Sequence, residues 1–93
     1  MNQLEKVEGV NKGRIVLYAL STCVWCQKTK KLLTELGVEY EYIFFDQLDN
    51  EVEEKFNKEL ELWNPKCSFP TLVINDNECI VGYEEAEIRR ILA

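Results

Sequence analysis

An apolar run over residues 15–20 places the strongest constraint on how this 93-residue chain can fold. The run is short and rich in β-branched and aromatic residues, which is typical of a strand buried on both faces of its sheet. Such a strand needs other elements packed against it from both sides. We therefore expect a single α/β domain in which this strand is central.

The segment after the run changes to helical spacing. Ser21 and Thr22 are good helix N-caps, and apolar residues then recur on one face of a helix over residues 24–36. Aromatic residues predict a second strand over residues 40–45. One helix between two strands makes a βαβ unit, so these strands should be parallel with a right-handed crossover.

The rest of the chain predicts a second helix over residues 49–62, a hairpin of strands at 71–74 and 78–81, and a last helix over 84–93. The expected order is β-α-β-α-β-β-α, with a four-stranded mixed sheet flanked by helices. Residues 1–12 are polar and contain a glycine, so we expect a flexible N-terminal lead-in before a domain spanning residues 13–93.

The sequence Cys23-Val24-Trp25-Cys26 stands where the first strand passes into the first helix. The sulfur of Cys23 would lie near the unpaired N–H groups of the first turn, and this favours the thiolate form. Cys26 is one turn further on and faces the core. This asymmetry predicts that Cys23 attacks a substrate disulfide, and that Cys26 then attacks Cys23 and releases the reduced product.

A zinc site made from all four cysteines is the structural alternative. Structural zinc usually uses two closely spaced pairs of ligands, whereas Cys67 and Cys79 fall on different predicted elements. The chain has no histidine, which excludes mixed Cys/His metal sites and every mechanism based on histidine. We therefore expect no metal.

Composition and the N-terminus limit the partners and the compartment. A net charge of −6 argues against nucleic-acid binding, and no apolar run approaches the roughly 18 to 20 residues that span a bilayer. The N-terminus lacks the pattern of a secretory signal, so we expect a cytoplasmic monomer. Cysteine pairs in the cytoplasm tend to be catalytic or metal-binding rather than structural.

Three stretches of the chain resemble the glutaredoxin family of the thioredoxin fold: residues 21–26 (Ser-Thr-Cys-Val-Trp-Cys), 68–71 (Ser-Phe-Pro-Thr) and 81–83 (Val-Gly-Tyr). The resemblance covers roughly residues 14–93. It implies an electron carrier that reduces the disulfides of client proteins or small molecules through the dithiol. The residues it implies for substrate binding are Trp25, Phe69, Pro70, Gly82 and Tyr83.

Within that family the matching proline is cis and lies beside the dithiol. The resemblance therefore implies that the backbone of Phe69, before Pro70, could pair with an extended substrate segment. Trp25 would be either a docking surface for partners or a partly packed aromatic. Cys67, three residues before Pro70, would be either a third redox thiol or a spare loop cysteine.

Members of the family commonly use glutathione, but this chain departs from their glutathione-binding pattern. Leu20 replaces a lysine found in many members, and Glu84 and Glu85 replace the Ser/Thr-Asp pair that holds a glutathione carboxylate. Two glutamates would repel that carboxylate. We therefore expect no tightly bound cofactor, with glutathione at most a poor ligand, and a reductase as the electron donor.

Two other functions fit the same resemblance. Related glutaredoxins that lack a proline between the cysteines can hold a [2Fe–2S] cluster between two subunits, with glutathione and the first cysteine, which is Cys23 in this chain, as ligands. A redox-inert binding module on the same fold is the other alternative, and the intact pair of Cys23 and Cys26 argues against it.

Overall fold

The computed structural model of the protein describes residues 4–93. Its elements follow the predicted order, with one additional strand at the start and a short 3-10 turn after the third strand. The elements are β1 (Glu5–Val7), β2 (Ile15–Ala19), α1 (Val24–Glu35), β3 (Tyr40–Phe44), the 3-10 turn (Phe45–Gln47), α2 (Asn50–Trp63), β4 (Thr71–Ile74), β5 (Glu78–Val81) and α3 (Glu85–Leu92).

The strands of residues 4–93 form one sheet in the order β1-β3-β2-β4-β5. The central strand β2 pairs parallel with β3, as the βαβ unit predicted, and antiparallel with β4. Strands β4 and β5 form the predicted antiparallel hairpin. Asn75 and Asp76 make its turn with φ angles of 55° and 56°, a conformation that asparagine and aspartate adopt more readily than other non-glycine residues.

Side chains of β2 enter two separate cores, one on each face of the sheet. Ile15 and Leu17 pack with α1 and α3 on one face, whereas Val16 and Tyr18 pack with Leu60 of α2 on the other. Every residue of β2 is buried. The prediction of a strand buried on both faces is therefore confirmed, and the sheet is the middle layer between helices.

One strand more than the expected four is present within the described residues. Residues 5–7 belong to the predicted lead-in, yet they form β1 and pair antiparallel with β3. Of these residues only Val7 is partly buried, so this edge strand carries no apolar alternation that could reveal it. Residues 1–3 of the lead-in lie outside the described residues. No helix of residues 4–93 has the length and apolar character needed to cross a bilayer.

Gly9 allows the segment after β1 to approach the backbone of residues 37–39 very closely. The Val10 N–H donates to the Gly37 carbonyl at 2.8 Å, and the Glu39 N–H donates to the Val10 carbonyl at 2.9 Å. A Cβ atom added at Gly9 would lie only 2.6 Å from the Val38 carbonyl carbon. Because backbone atoms cannot move aside as a flexible side chain can, only glycine fits this position.

We expect Gly9→Ala to lower the free energy of unfolding by about 1–3 kcal/mol, the usual cost of forcing extra atoms into a packed contact. Chemical denaturation measures this change. Hydrogen exchange at the amides of Val10 and Glu39 should also become faster, because the added methyl group pushes the two segments apart. Glu8→Ala, at an exposed neighbouring residue, is the control. Unchanged stability and unchanged exchange in Gly9→Ala would show that this contact is not close.

Candidate active site

Cys23 occupies the N-cap position of α1. Its backbone is extended (φ −85°, ψ 117°), and its Sγ accepts a hydrogen bond from the Cys26 N–H at 3.2 Å. The sequence favoured Ser21 or Thr22 as the cap, and this was wrong. The hydroxyl of Ser21 donates to the side chain of Asp46 instead, and the sulfur of Cys23 takes the capping place at the positive end of the helix.

Cys26 lies in the first turn of α1 and is fully buried. It packs in the core that β2 shares with α1 and α3. Burial raises the pKa of the Cys26 thiol to about 12, and the hydrogen bond and charge of Cys23 act in the same direction. Cys26 is therefore a protonated thiol at neutral pH, while Cys23 is partly exposed. The structure thus brings the two predicted thiols together in different environments.

Asp46 fixes the loop that leads into Cys23. The Ser21 N–H donates to Asp46 Oδ1 at 2.8 Å, and Gln27 Nε2 donates to the Ser21 carbonyl at 3.1 Å. The hydrogen bonds from Ser21 hold the pKa of Asp46 below its usual value, so this carboxylate is charged at neutral pH. Asp46 was not among the residues predicted for the site. It could have been found because β2 and β3 are parallel, and residues that follow parallel strands meet at one edge of the sheet.

The five residues predicted to bind substrate line one open cavity of about 230 Å³. The Phe69–Pro70 peptide bond is cis, and the Gly82 N–H donates to the Pro70 carbonyl at 2.8 Å. This bond joins the loop before β4 to the loop after β5. Trp25 connects the cavity to the dithiol, since it lies between the two cysteines in the chain. The role of these residues in substrate binding stays a prediction.

Two stacked aromatic rings form one wall of this cavity. The rings of Trp25 and Tyr83 have centroids 5.9 Å apart and are inclined by 26°. Lys28 places its Nζ 4.6 Å from the centroid of the Trp25 ring on α1, a distance at which a cation is attracted to the ring face. Trp25 is nevertheless 54% exposed. It is therefore both a packed aromatic and an exposed apolar surface next to Cys23.

Cys67 belongs to the core on the face of the sheet opposite to that of Cys26. It packs with Trp63 and Phe69 against the α2 face of the sheet, whereas Cys26 packs against the opposite face. Burial raises the pKa of Cys67, and the charge of Glu61 adds to this effect. A redox role for Cys67 stays a prediction.

The four cysteines, all of which lie in the described part of the chain, are free and do not gather at one place. No group of three or more Cys, Asp or Glu side chains among residues 4–93 is placed to hold a metal ion. The expectation that the chain holds no metal stays a prediction.

Comparison with known proteins agrees with this geometry. The family model described as Glutaredoxin matches residues 15–80. The structure of a glutaredoxin from Methanosarcina mazei Go1 superimposes with a TM-score of 0.90 and 49% sequence identity, covering 99% of this chain and 89% of that one. The methanoredoxin of Methanosarcina acetivorans gives a TM-score of 0.88 and 52% identity, covering 91% of this chain and 90% of that one.

A more distant curated relative is an uncharacterized glutaredoxin-like 8.6 kDa protein in the rubredoxin operon of Clostridium pasteurianum. It is 27% identical over 78 residues, which are 84% of this chain and 96% of that protein. The family match includes both cysteines, the cis-proline loop and the central strands. The chain therefore belongs to the glutaredoxin family, thiol–disulfide oxidoreductases of the thioredoxin fold.

Proposed function

We propose that this protein reduces the disulfides of client proteins, with Cys23 as the nucleophile and Cys26 as the resolving thiol. One observation carries the proposal. At the N-terminus of α1, the sulfur of the partly exposed Cys23 accepts a hydrogen bond from the backbone N–H of the fully buried Cys26. A donor N–H and the helix dipole both favour negative charge on the sulfur that meets the substrate.

The reaction needs two exchange steps. The Cys23 thiolate attacks one sulfur of the client disulfide, a mixed disulfide forms, and the other client sulfur leaves as a thiolate that takes up a proton. Cys26 then loses its proton and attacks Cys23 Sγ, and the second client sulfur leaves as a thiolate that also takes up a proton. The client gains two electrons and two protons, and the protein is left with a Cys23–Cys26 disulfide.

Formation of the mixed disulfide itself makes Cys26 easier to ionise. Burial is the largest cause of the raised pKa of Cys26. The hydrogen bond to Cys23 and the negative charge of Cys23 raise it further. A Cys23 sulfur held in a mixed disulfide carries no negative charge and is a weaker acceptor for the Cys26 S–H. The pKa of Cys26 therefore falls at the stage where its thiolate is required.

The cavity beside the dithiol supports an extended client segment as the substrate. Among residues 4–93, no group donates to or accepts from the backbone of Phe69, so this backbone is free to pair with a client strand. The stacked rings of Trp25 and Tyr83 add an apolar rim next to it. Exposed aromatic residues of this kind are enriched in protein–protein interfaces.

The charges around the cavity favour a protein reductase over glutathione as the electron donor. Glu84 and Glu85 are exposed directly after Tyr83. Glu85 is paired with Arg89 at 2.9 Å, whereas Glu84 makes no ion pair within the described residues. Leu20, in the place of the lysine found in many family members, supplies no cation. An anionic tripeptide that binds beside Tyr83 would therefore meet the unpaired charge of Glu84, and Lys28 at the Trp25 ring is a cation beside this aromatic wall of the cavity.

Removal of each thiol should stop the reaction at a different step. Cys23→Ser should abolish disulfide reduction because the nucleophile is lost, and Cys26→Ser should accumulate a mixed disulfide because the resolving thiol is lost. Pre-reduced protein is mixed with a disulfide peptide in a single turnover and then analysed by mass spectrometry, so no electron donor is needed.

Cys79→Ser is the matched control and should behave as the wild type, since Cys79 lies on β5 outside the cavity. Equal activity of Cys23→Ser and wild type would refute the proposed mechanism.

The iron–sulfur alternative stays a prediction, and a visible absorption spectrum of protein purified without oxygen checks it.

Cys23→Ala should lower the pKa of Cys26 from about 12, because the hydrogen bond and the charge of Cys23 both raise it. Burial remains in this variant, so the pKa should stay above the ordinary thiol value of about 8.5. The Cys26 thiolate should therefore appear at a lower pH in the variant than in the wild type. The ¹³Cβ chemical shift of Cys26 as a function of pH measures this. Cys79, whose pKa burial alone raises, is the internal control. Identical midpoints for Cys26 in both proteins would contradict the coupling.

Glutathione with glutathione reductase should turn the protein over far more slowly than a cognate protein reductase does. Glu84→Gln should raise the turnover with glutathione by about twofold to fivefold, the range expected for one exposed charge. A matched variant, Glu53→Gln, removes the same charge from the first turn of α2 and should have no effect. Rapid wild-type turnover with glutathione, unchanged in Glu84→Gln, would show that these charges do not exclude it.

A further inference from the structure

Asn64 is a buried polar residue that takes no part in the two exchange steps. It follows α2 directly and is only 5% exposed. A buried amide is costly unless its N–H and carbonyl groups are hydrogen-bonded, so its partners show what the residue stabilises. Its side-chain partners lie in residues 66–71, the segment that carries Phe69 and Pro70.

The side chain of Asn64 contacts this segment at three residues. Nδ2 lies 2.9 Å from Ser68 Oγ and 3.1 Å from Thr71 Oγ1, and it also lies 3.3 Å from the Ser68 carbonyl oxygen. Oδ1 accepts from the Lys66 N–H at 3.2 Å. Thr71 Oγ1 in turn donates to the Ser68 carbonyl at 2.8 Å. The two ends of the Phe69–Pro70 dipeptide are therefore tied to the end of α2 through one amide group.

These bonds occupy the backbone carbonyl of Ser68, and the Gly82 N–H occupies the carbonyl of Pro70. The backbone of Phe69 between them has no partner in the part of the chain that the structure describes. The unpaired backbone of Phe69 therefore lies between two residues, Ser68 and Pro70, whose carbonyl groups are held by hydrogen bonds. A substrate strand that pairs with Phe69 would meet a backbone whose position is already set, which reduces the ordering cost of binding.

We infer that Asn64 is a positioning residue for substrate, which holds the Phe69 backbone in place for pairing with an extended client segment. This inference rests on the proposed function. Asn64 does not touch the reacting sulfurs. It acts through Ser68 and Thr71, and its loss changes substrate binding and leaves the chemistry at Cys23 intact.

The test uses pre-reduced protein and a peptide whose cysteine is linked by a disulfide to thionitrobenzoate, a coloured leaving group. A second peptide carries one N-methyl group on a backbone amide. The methylated position is the one at which N-methylation slows reduction by the wild-type protein most. Bis(2-hydroxyethyl) disulfide has no peptide backbone that could pair with Phe69, so it reports on Cys23 alone. The half-saturation concentration and the limiting rate are measured separately for each peptide.

In the wild type, N-methylation should raise the half-saturation concentration about threefold to tenfold, as expected for one lost hydrogen bond. Asn64→Ala should raise this concentration for the unmodified peptide to a similar degree and should remove the effect of N-methylation. The limiting rate and the reduction of the small disulfide should stay unchanged. Asn57→Ala, at a residue whose side chain donates to Glu61 on the surface of α2, is the matched control and should retain wild-type values.

Independent effects of Asn64→Ala and N-methylation would overturn the inference, because two changes that act through one contact cannot be additive. A parallel loss of activity on the small disulfide would also overturn it. If Asn64→Ala fails to fold, Ser68→Ala is the second test variant, because Ser68 is exposed. A reduced effect of N-methylation in Ser68→Ala supports the inference, and a full effect overturns it. If N-methylation at no position of the peptide affects the wild-type protein, the inference is overturned and the proposed function is not. A fully active Cys23→Ser variant overturns the proposed function.

Discussion

Burial of β2 on both faces is the constraint on which the rest of the structure depends. Its alternate side chains enter two cores, so helices must cover the sheet from both sides. Helix α1 begins immediately beyond the carboxyl end of this strand and packs on one face through Leu32 and Leu33. The position of Cys23 follows from that arrangement, because the chain must pass from a buried strand to the first turn of a packed helix within a few residues.

The different environments of the two thiols arise from a single helical turn. Cys23 is the N-cap and partly exposed, while Cys26 points into the core and is fully buried. The hydrogen bond from the Cys26 N–H to Cys23 Sγ satisfies a backbone donor at the start of α1 and places that donor at the sulfur. The local interaction that stabilises the helix terminus is thus also the interaction that would prepare Cys23 for its proposed role as the nucleophile.

The walls of the cavity come from loops that are far apart in the sequence, and each loop is fixed by its own hydrogen bonds. Asp46 holds the loop before Cys23, and Asn64 holds the segment before Pro70. The bond from the Gly82 N–H to the Pro70 carbonyl joins that segment to the loop after β5. These bonds fix the positions of the Phe69 backbone and of the stacked Trp25 and Tyr83 rings at the cavity where we propose that a client segment binds.

The sequence by itself determined the central strand, the parallel βαβ unit, the hairpin and the position of the dithiol, because periodicity, caps and turn residues act between neighbours in the chain. It did not reveal β1, whose residues are mostly exposed and whose pairing with β3 is a long-range contact. Only the tertiary structure decided that Asp46 meets Ser21 and that Asn64 is buried against Ser68. It also decided that Cys67 faces the core opposite to that of Cys26. These contacts depend on how distant segments pack, and no local pattern encodes the distance between two loops.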